Sequence, residues 1–87
     1  MRIRDEFVLR TIAGQTFVVA LGSASRELNG MLRLNETAKV IWEGLAQGMT
    51  QSEIVRSLTA QYDVTPEQAE TDCENLIDQL RRLHILE

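Results

Sequence analysis

The order of patterns along the chain predicts an α+β domain, a three-stranded antiparallel sheet followed by three helices. Three observations predict it. Before Gly30 the apolar residues fall in short runs rich in β-branched and aromatic side chains, the character of strands. After Asn35 they recur at three- and four-residue spacing, the period of helices. Between the two lies Gly30-Met31-Leu32-Arg33-Leu34-Asn35-Glu36-Thr37-Ala38, where a short strand, Met31–Leu34, runs into a helix with almost no loop.

Each strand has its own signal. Phe7-Val8-Leu9-Arg10-Thr11-Ile12-Ala13 and Thr16-Phe17-Val18-Val19-Ala20-Leu21 flank Gly14-Gln15. That reads as a hairpin, with Gly14 free to take positive φ in the turn. The second strand is apolar on both faces, so one face calls for cover from outside the sheet. Gly22 to Gly30 reads as a polar loop, with Ser23, Ser25 and Asn29 inside it. Met31–Leu34, last of the set, is expected at an edge, where backbone donors and acceptors stand unpaired.

The helices announce their ends. Asn35 is a good N-cap, and Glu36 follows at the positive end of the helix dipole. Ala38, Ile41, Trp42 and Leu45 form the buried stripe of the first helix, and Gly48 is its stop. Thr50-Gln51-Ser52-Glu53 is a capping box ahead of the stripe Ile54, Val55, Leu58 and Tyr62. Thr65-Pro66-Glu67-Gln68 reads as a second box, with Pro at the first helical position. The third stripe is Ala69, Cys73, Leu76, Ile77, Leu80 and Leu83, and Arg81 and Arg82 suit the last turn. His84-Ile85-Leu86 is expected to pack back on the core.

Composition bounds the function. With 87 residues the chain is a single domain, 1–87, near the lower limit for burying its own core. A net charge of −4 argues against general binding to nucleic acid or anionic membrane, both of which need clustered Lys and Arg. One Cys rules out an internal disulfide framework. No apolar run spans a bilayer, and Met1-Arg2-Ile3-Arg4-Asp5-Glu6 lacks the core of a signal peptide, so a cytoplasmic protein is expected. No phosphate loop, metal-spaced cluster or nucleophile elbow occurs, so no enzyme and no cofactor is expected. A carrier protein of this size and acidity would be all-helical with an attachment Ser behind Asp, and no Asp-Ser pair exists here.

A sheet beside two helices joined by a short turn is winged-helix-like. That arrangement makes a DNA-binding or protein-interaction domain in regulation the alternative reading. The would-be reading helix carries Glu67, Glu70, Asp72, Glu74 and Asp78 against Arg81 and Arg82, so phosphate would repel it.

Phe7-Val8-Leu9-Arg10, Gly14, the Leu32-Arg33-Leu34-Asn35-Glu36-Thr37-Ala38 junction, Ile54-Val55 and Leu58 before Tyr62, Leu76-Ile77 and Leu80, and Ile85-Leu86-Glu87 together resemble the PqqD family. The resemblance covers nearly the whole chain, and Leu34-Asn35-Glu36-Thr37-Ala38 is its most specific part. It implies a small winged-helix-like, non-catalytic adaptor, the leader-recognition domain of many peptide-modification pathways. Such an adaptor binds the leader of a ribosomally made precursor peptide and presents it to a radical-SAM or other maturation enzyme. The founding pathway makes pyrroloquinoline quinone. Where its members carry a Cys-Asp-Gly-like end to the first helix, this chain has Leu45-Ala46-Gln47-Gly48. The resemblance therefore implies the fold and binding mode rather than that pathway.

The implied mode is strand addition: the leader pairs with the backbone of Met31, Leu32, Arg33 and Leu34, in a groove walled by the third helix. Glu70, Glu74 and Arg81, beside Ile77, form the favoured wall, and Asp72 and Gln79 the other flank. The same edge permits a homodimer through strands. Other conspicuous residues have plainer readings. Trp42 and Cys73 sit on buried stripes as core residues. His84 has no second ligand. Tyr62 reads as a core-edge residue with its hydroxyl wet, and Asp5 and Glu6 as a solvated strand start. The acids of the third helix either select a basic leader or form a solvated face. Arg33 either touches peptide or blunts the edge against aggregation.

The acidity of the third helix yields a first prediction: no salt-sensitive binding to duplex DNA near physiological ionic strength. Sub-micromolar binding to random duplex in a fluorescence anisotropy titration would overturn it.

Overall fold

The structure, a computed structural model, describes residues 1–26, 28 and 30–87. Strands β1 (Phe7–Ile12), β2 (Gln15–Ala20) and β3 (Leu32–Leu34) precede helices α1 (Glu36–Ala46), α2 (Gln51–Gln61) and α3 (Pro66–Arg82). The sheet is antiparallel, in the order β1-β2-β3. The expected α+β order of three strands and then three helices is what the chain adopts. Met31 lies just outside β3 and is 55% exposed.

The hairpin turns at Ala13-Gly14, with φ of 52° and 78°. Two central residues at positive φ make the turn whose twist matches the flanking strands. The turn therefore falls one residue earlier than expected, and Gln15 opens β2. Opposite residues share a face, so Leu9, Val18 and Leu32 form one inward row. Val18 is fully buried and joins the stripes of all three helices in one cluster. Fully buried Ile54, Leu58, Cys73 and Leu80 supply its helical side.

The caps hold largely as read. Thr50 and Glu53 form a reciprocal box, at 3.2 Å from the Glu53 N–H to Thr50 Oγ1 and 2.8 Å from the Thr50 N–H to Glu53 Oε1. The second of these bonds, with the Thr50 hydroxyl contact behind it, holds the Glu53 carboxyl below its usual range. At α3 the expected box is half-formed. Thr65 accepts the Gln68 N–H at 3.1 Å, but the Gln68 amide turns along the helix and donates to Asp72 Oδ1 at 2.8 Å. An acidic partner one turn on outcompetes the backbone N–H behind it.

The stretch read as a polar loop is more structured than expected. Gly22–Arg26 is a 3-10 helix, with Ser25 Oγ donating to the Gly22 carbonyl at 2.8 Å. Ala24 and Leu28 both enter the core. Asn29, read as part of that loop, lies outside the described residues.

The tail does pack back. His84 takes φ 59°, and the Ile85 N–H then donates to the Leu80 carbonyl at 2.9 Å, closing α3. Ile85 and Leu86 are buried, and Leu86 bridges to Ile3. Arg4 donates to the His84 carbonyl at 2.8 Å while its guanidinium lies 5.3 Å from the Phe7 ring centre.

Helices α1 and α2 cross where Gly44 meets Ile54. A Cβ on Gly44 would lie 2.7 Å from Ile54 Cγ1, an atom of a β-branched, fully buried side chain with little freedom to yield. Gly44→Ala gains roughly 1 kcal/mol in helix propensity. Overpacking costs roughly 1–3 kcal/mol. The predicted net effect is a loss of about 1 kcal/mol in urea denaturation. A variant as stable as the parent would mean that the crossing relaxes freely.

Candidate functional site

Sheet order leaves β3 bonded to β2 on one side, with its other backbone edge free of any strand among the described residues. Register sets Leu34 opposite Thr16, Arg33 opposite Phe17 and Leu32 opposite Val18. Leu34 is thereby buried and Leu32 half-buried against the core, while Arg33 points out and is exposed. Inward leucines anchor the strand without using its outer hydrogen-bonding edge.

The strand is held from its far end. Asn35 stays extended, at φ −76° and ψ 179°, and its Oδ1 accepts the Ala38 N–H at 2.8 Å and the Thr37 hydroxyl at 3.1 Å. One residue therefore ends the sheet and begins α1. A side chain that both terminates and caps leaves no slack between the edge and the helix.

Beside this joint lies a recess of about 210 Å³. Asn35, Thr37, Ala38 and Ile41 line one wall, and Asp72, Asn75, Leu76 and Gln79 of α3 line the other. The α3 flank beside the β3–α1 joint is thus the Asp72 and Gln79 side. Glu70 and Glu74 line a different recess with Gln51, Ser52, Val55 and Arg56 of α2. The wall favoured from sequence, Glu70 and Glu74, therefore faces α2. Ile77 is 4% exposed and belongs to the core. Arg81 is exposed in the last turn of α3. Sequence periodicity identifies the two flanks of an apolar stripe but not their neighbours. Asn75, which sequence reasoning did not single out, stands between Asp72 and Gln79 on the inward flank, at helical spacing from both.

Among the described residues no group of three or more His, Cys, Asp or Glu could hold a metal. Cys73 is fully buried; desolvation pushes its thiol up, and Glu74 and Glu70 add to the shift, so it makes a poor thiolate. Trp42 is 4% exposed, a core residue. No helix among the described residues is long and apolar enough to cross a membrane.

The profile of the family described as Coenzyme PQQ synthesis protein D (PqqD) matches residues 7–86. Two solved structures share the fold. TbiB1, in complex with the TbiA(beta) leader peptide, is 25% identical with a TM-score of 0.79, over 100% of this chain and 95% of that one. Lasso peptide synthetase B1, complexed with the leader peptide, is 25% identical with a TM-score of 0.77, over 93% of this chain and 89% of that one. No curated protein sequence matches the chain.

The joint can be tested alone. Asn35→Ala removes the acceptor for the Ala38 N–H and should cost about 1 kcal/mol. Asn35→Asp, which keeps an acceptor oxygen, should recover most of it. Equal denaturation midpoints for the parent and the Ala variant would show that the cap does not hold the joint.

Proposed function

The chain belongs to the PqqD family, and from that membership we propose that it is a non-catalytic adaptor for a ribosomally made precursor peptide. It captures the leader by strand addition to β3 and presents it to a modifying enzyme of the radical-SAM type or another maturation class. The observation that carries this reading is the free edge of β3 in a fold shared with two proteins solved with leader peptides. Strand addition draws affinity from backbone hydrogen bonds and selectivity from pockets for alternate side chains. The bonds would come from Leu32, Arg33 and Leu34, with Met31 at the entry. The recess between Asn35 and the Asp72, Asn75 and Gln79 flank is the adjoining side-chain pocket, and Arg81 lies at the far end of α3. Capture and handover take place in the cytoplasm, where precursors are made. Without a leader, the same edge can pair with a second copy.

Proline tests the edge. In an antiparallel ladder the N–H groups alternate between facing the neighbour and facing out, so one of Leu32 and Arg33 directs its N–H outward. Proline there removes one bond to the peptide and spares the ladder to β2. Leu32→Pro and Arg33→Pro are both made, and synthetic leader segments from any short precursor reading frames found near the gene are titrated calorimetrically to choose the one the parent binds. One variant should stay folded and bind more weakly by about 1 kcal/mol or more. Parent-like binding by both folded variants, or amide shifts that cluster on α2 rather than on β3 and α3, would overturn strand addition.

A further inference from the structure

The outer face of the sheet differs chemically from the rest of the surface. Alternation turns Val8, Arg10 and Ile12 of β1, Phe17 and Val19 of β2, and Arg33 of β3 away from Val18. Val8 lies opposite Val19, and Phe17 lies between Arg10 and Arg33. Val8, Phe17 and Val19 are half-buried and stand outside the core cluster, and Ile12 is 47% exposed. Both arginines are exposed, and neither has a carboxylate within ion-pair distance among the described residues. The Arg10 guanidinium donates to the Leu9 carbonyl at 3.1 Å, which leaves most of its donors free. Among the described residues no strand holds an acid, whereas α3 holds Glu67, Glu70, Asp72, Glu74 and Asp78. Glu6, just ahead of β1, borders this face but is paired with Arg4 at 3.7 Å, so within a chain of net charge −4 the charges of Arg10 and Arg33 stand unanswered over the strands.

Geometry limits what can cover it. Strands about 4.8 Å apart place Arg10 and Arg33 roughly 10 Å from each other across Phe17. That is about the diameter of one α-helix. An apolar middle with a guanidinium on either side suits a helix whose apolar stripe is flanked by carboxylates, laid on the sheet as a third layer. A second copy fits poorly. Face-to-face pairing would set arginines against arginines, and the acidic helix of another copy turns its own apolar stripe inward.

We infer that the outer sheet face docks an acidic amphipathic helix of the peptide-modifying enzyme. The inference rests on the adaptor reading, because an adaptor holds peptide and enzyme at once. It also links the two. A leader strand added to β3 extends the same sheet, so alternate leader side chains stand beside Arg33 on this face. The docked helix then meets protein and leader on one continuous surface.

The probe is a synthetic stapled helix with a Leu and Phe stripe and Glu on both flanks. Its twin carries Lys at every Glu. Stapling prevents either one from adding as a strand. The acidic helix should shift the amides of residues 8, 10, 12, 17, 19 and 33, and the twin should not. Arg10→Glu and Ile12→Glu are exposed changes on the strand farthest from β3. Each should weaken the acidic helix by about tenfold through like-charge contact. Each should leave binding of the synthetic leader unchanged. A chain that binds the leader but ignores the acidic helix overturns this inference and leaves the adaptor reading intact. Equal binding of both twins, shifts confined to α2 and α3, or a concentration-dependent dimer whose shifts fall on the outer face would also overturn it.

Discussion

The geometry of the candidate site depends on the joint capped by the hydrogen bond from the Ala38 N–H to Asn35 Oδ1. β3 is three residues long and has one strand neighbour among the described residues. So short a strand would fray if it ended in a flexible loop. Instead its last residue, Leu34, is buried, and the next residue is already a helix cap. The cap ties the direction of α1 to that of the sheet, and α1 in turn sets the distance between the edge and α3. The recess beside the edge is a consequence of that joint.

Much of this was legible in the sequence, and the legible part follows a rule. Features written in adjacent residues were found: Gly14 in the hairpin turn, Thr50 and Glu53 in their box, Pro66 opening α3. The apolar stripes were found too, because burial imposes the helical period. Features that depend on which surface meets which were not. Glu70 and Asp72 flank the same stripe, and only the packing of α2 and α1 decides which of them faces the joint. Gln68 could cap its own helix or bond onward to Asp72, and side-chain geometry chose the second. The stretch from Gly22 departs from its sequence pattern for another reason. Its Ser and Gly content reads as a loop, yet a 3-10 turn needs only one inward Ala and a following Leu to join the core.

Charge divides the molecule along its layers. The strands contribute Arg10 and Arg33 with no acid, while α3 is strongly acidic on its exposed side. This separation arises because the helical layer covers only one face of the sheet. The bare face and the acidic helix therefore lie on opposite sides of one thin core, where their fields cancel little across the surface each presents. A domain this small can thus offer two chemically distinct surfaces without a second core.

The bridge between Ile3 and Leu86, with the Glu87 N–H donating to the Arg2 carbonyl at 2.8 Å, brings the beginning and end of the fold side by side. A fold whose ends are neighbours is a cassette. It can be spliced into a surface loop of a larger protein through two short linkers without stretching its host, since the entry and exit points already match. The same backbone pairing that seals this core therefore sets Arg2 and Glu87 at one point of the surface, the geometry that a two-linker insertion needs.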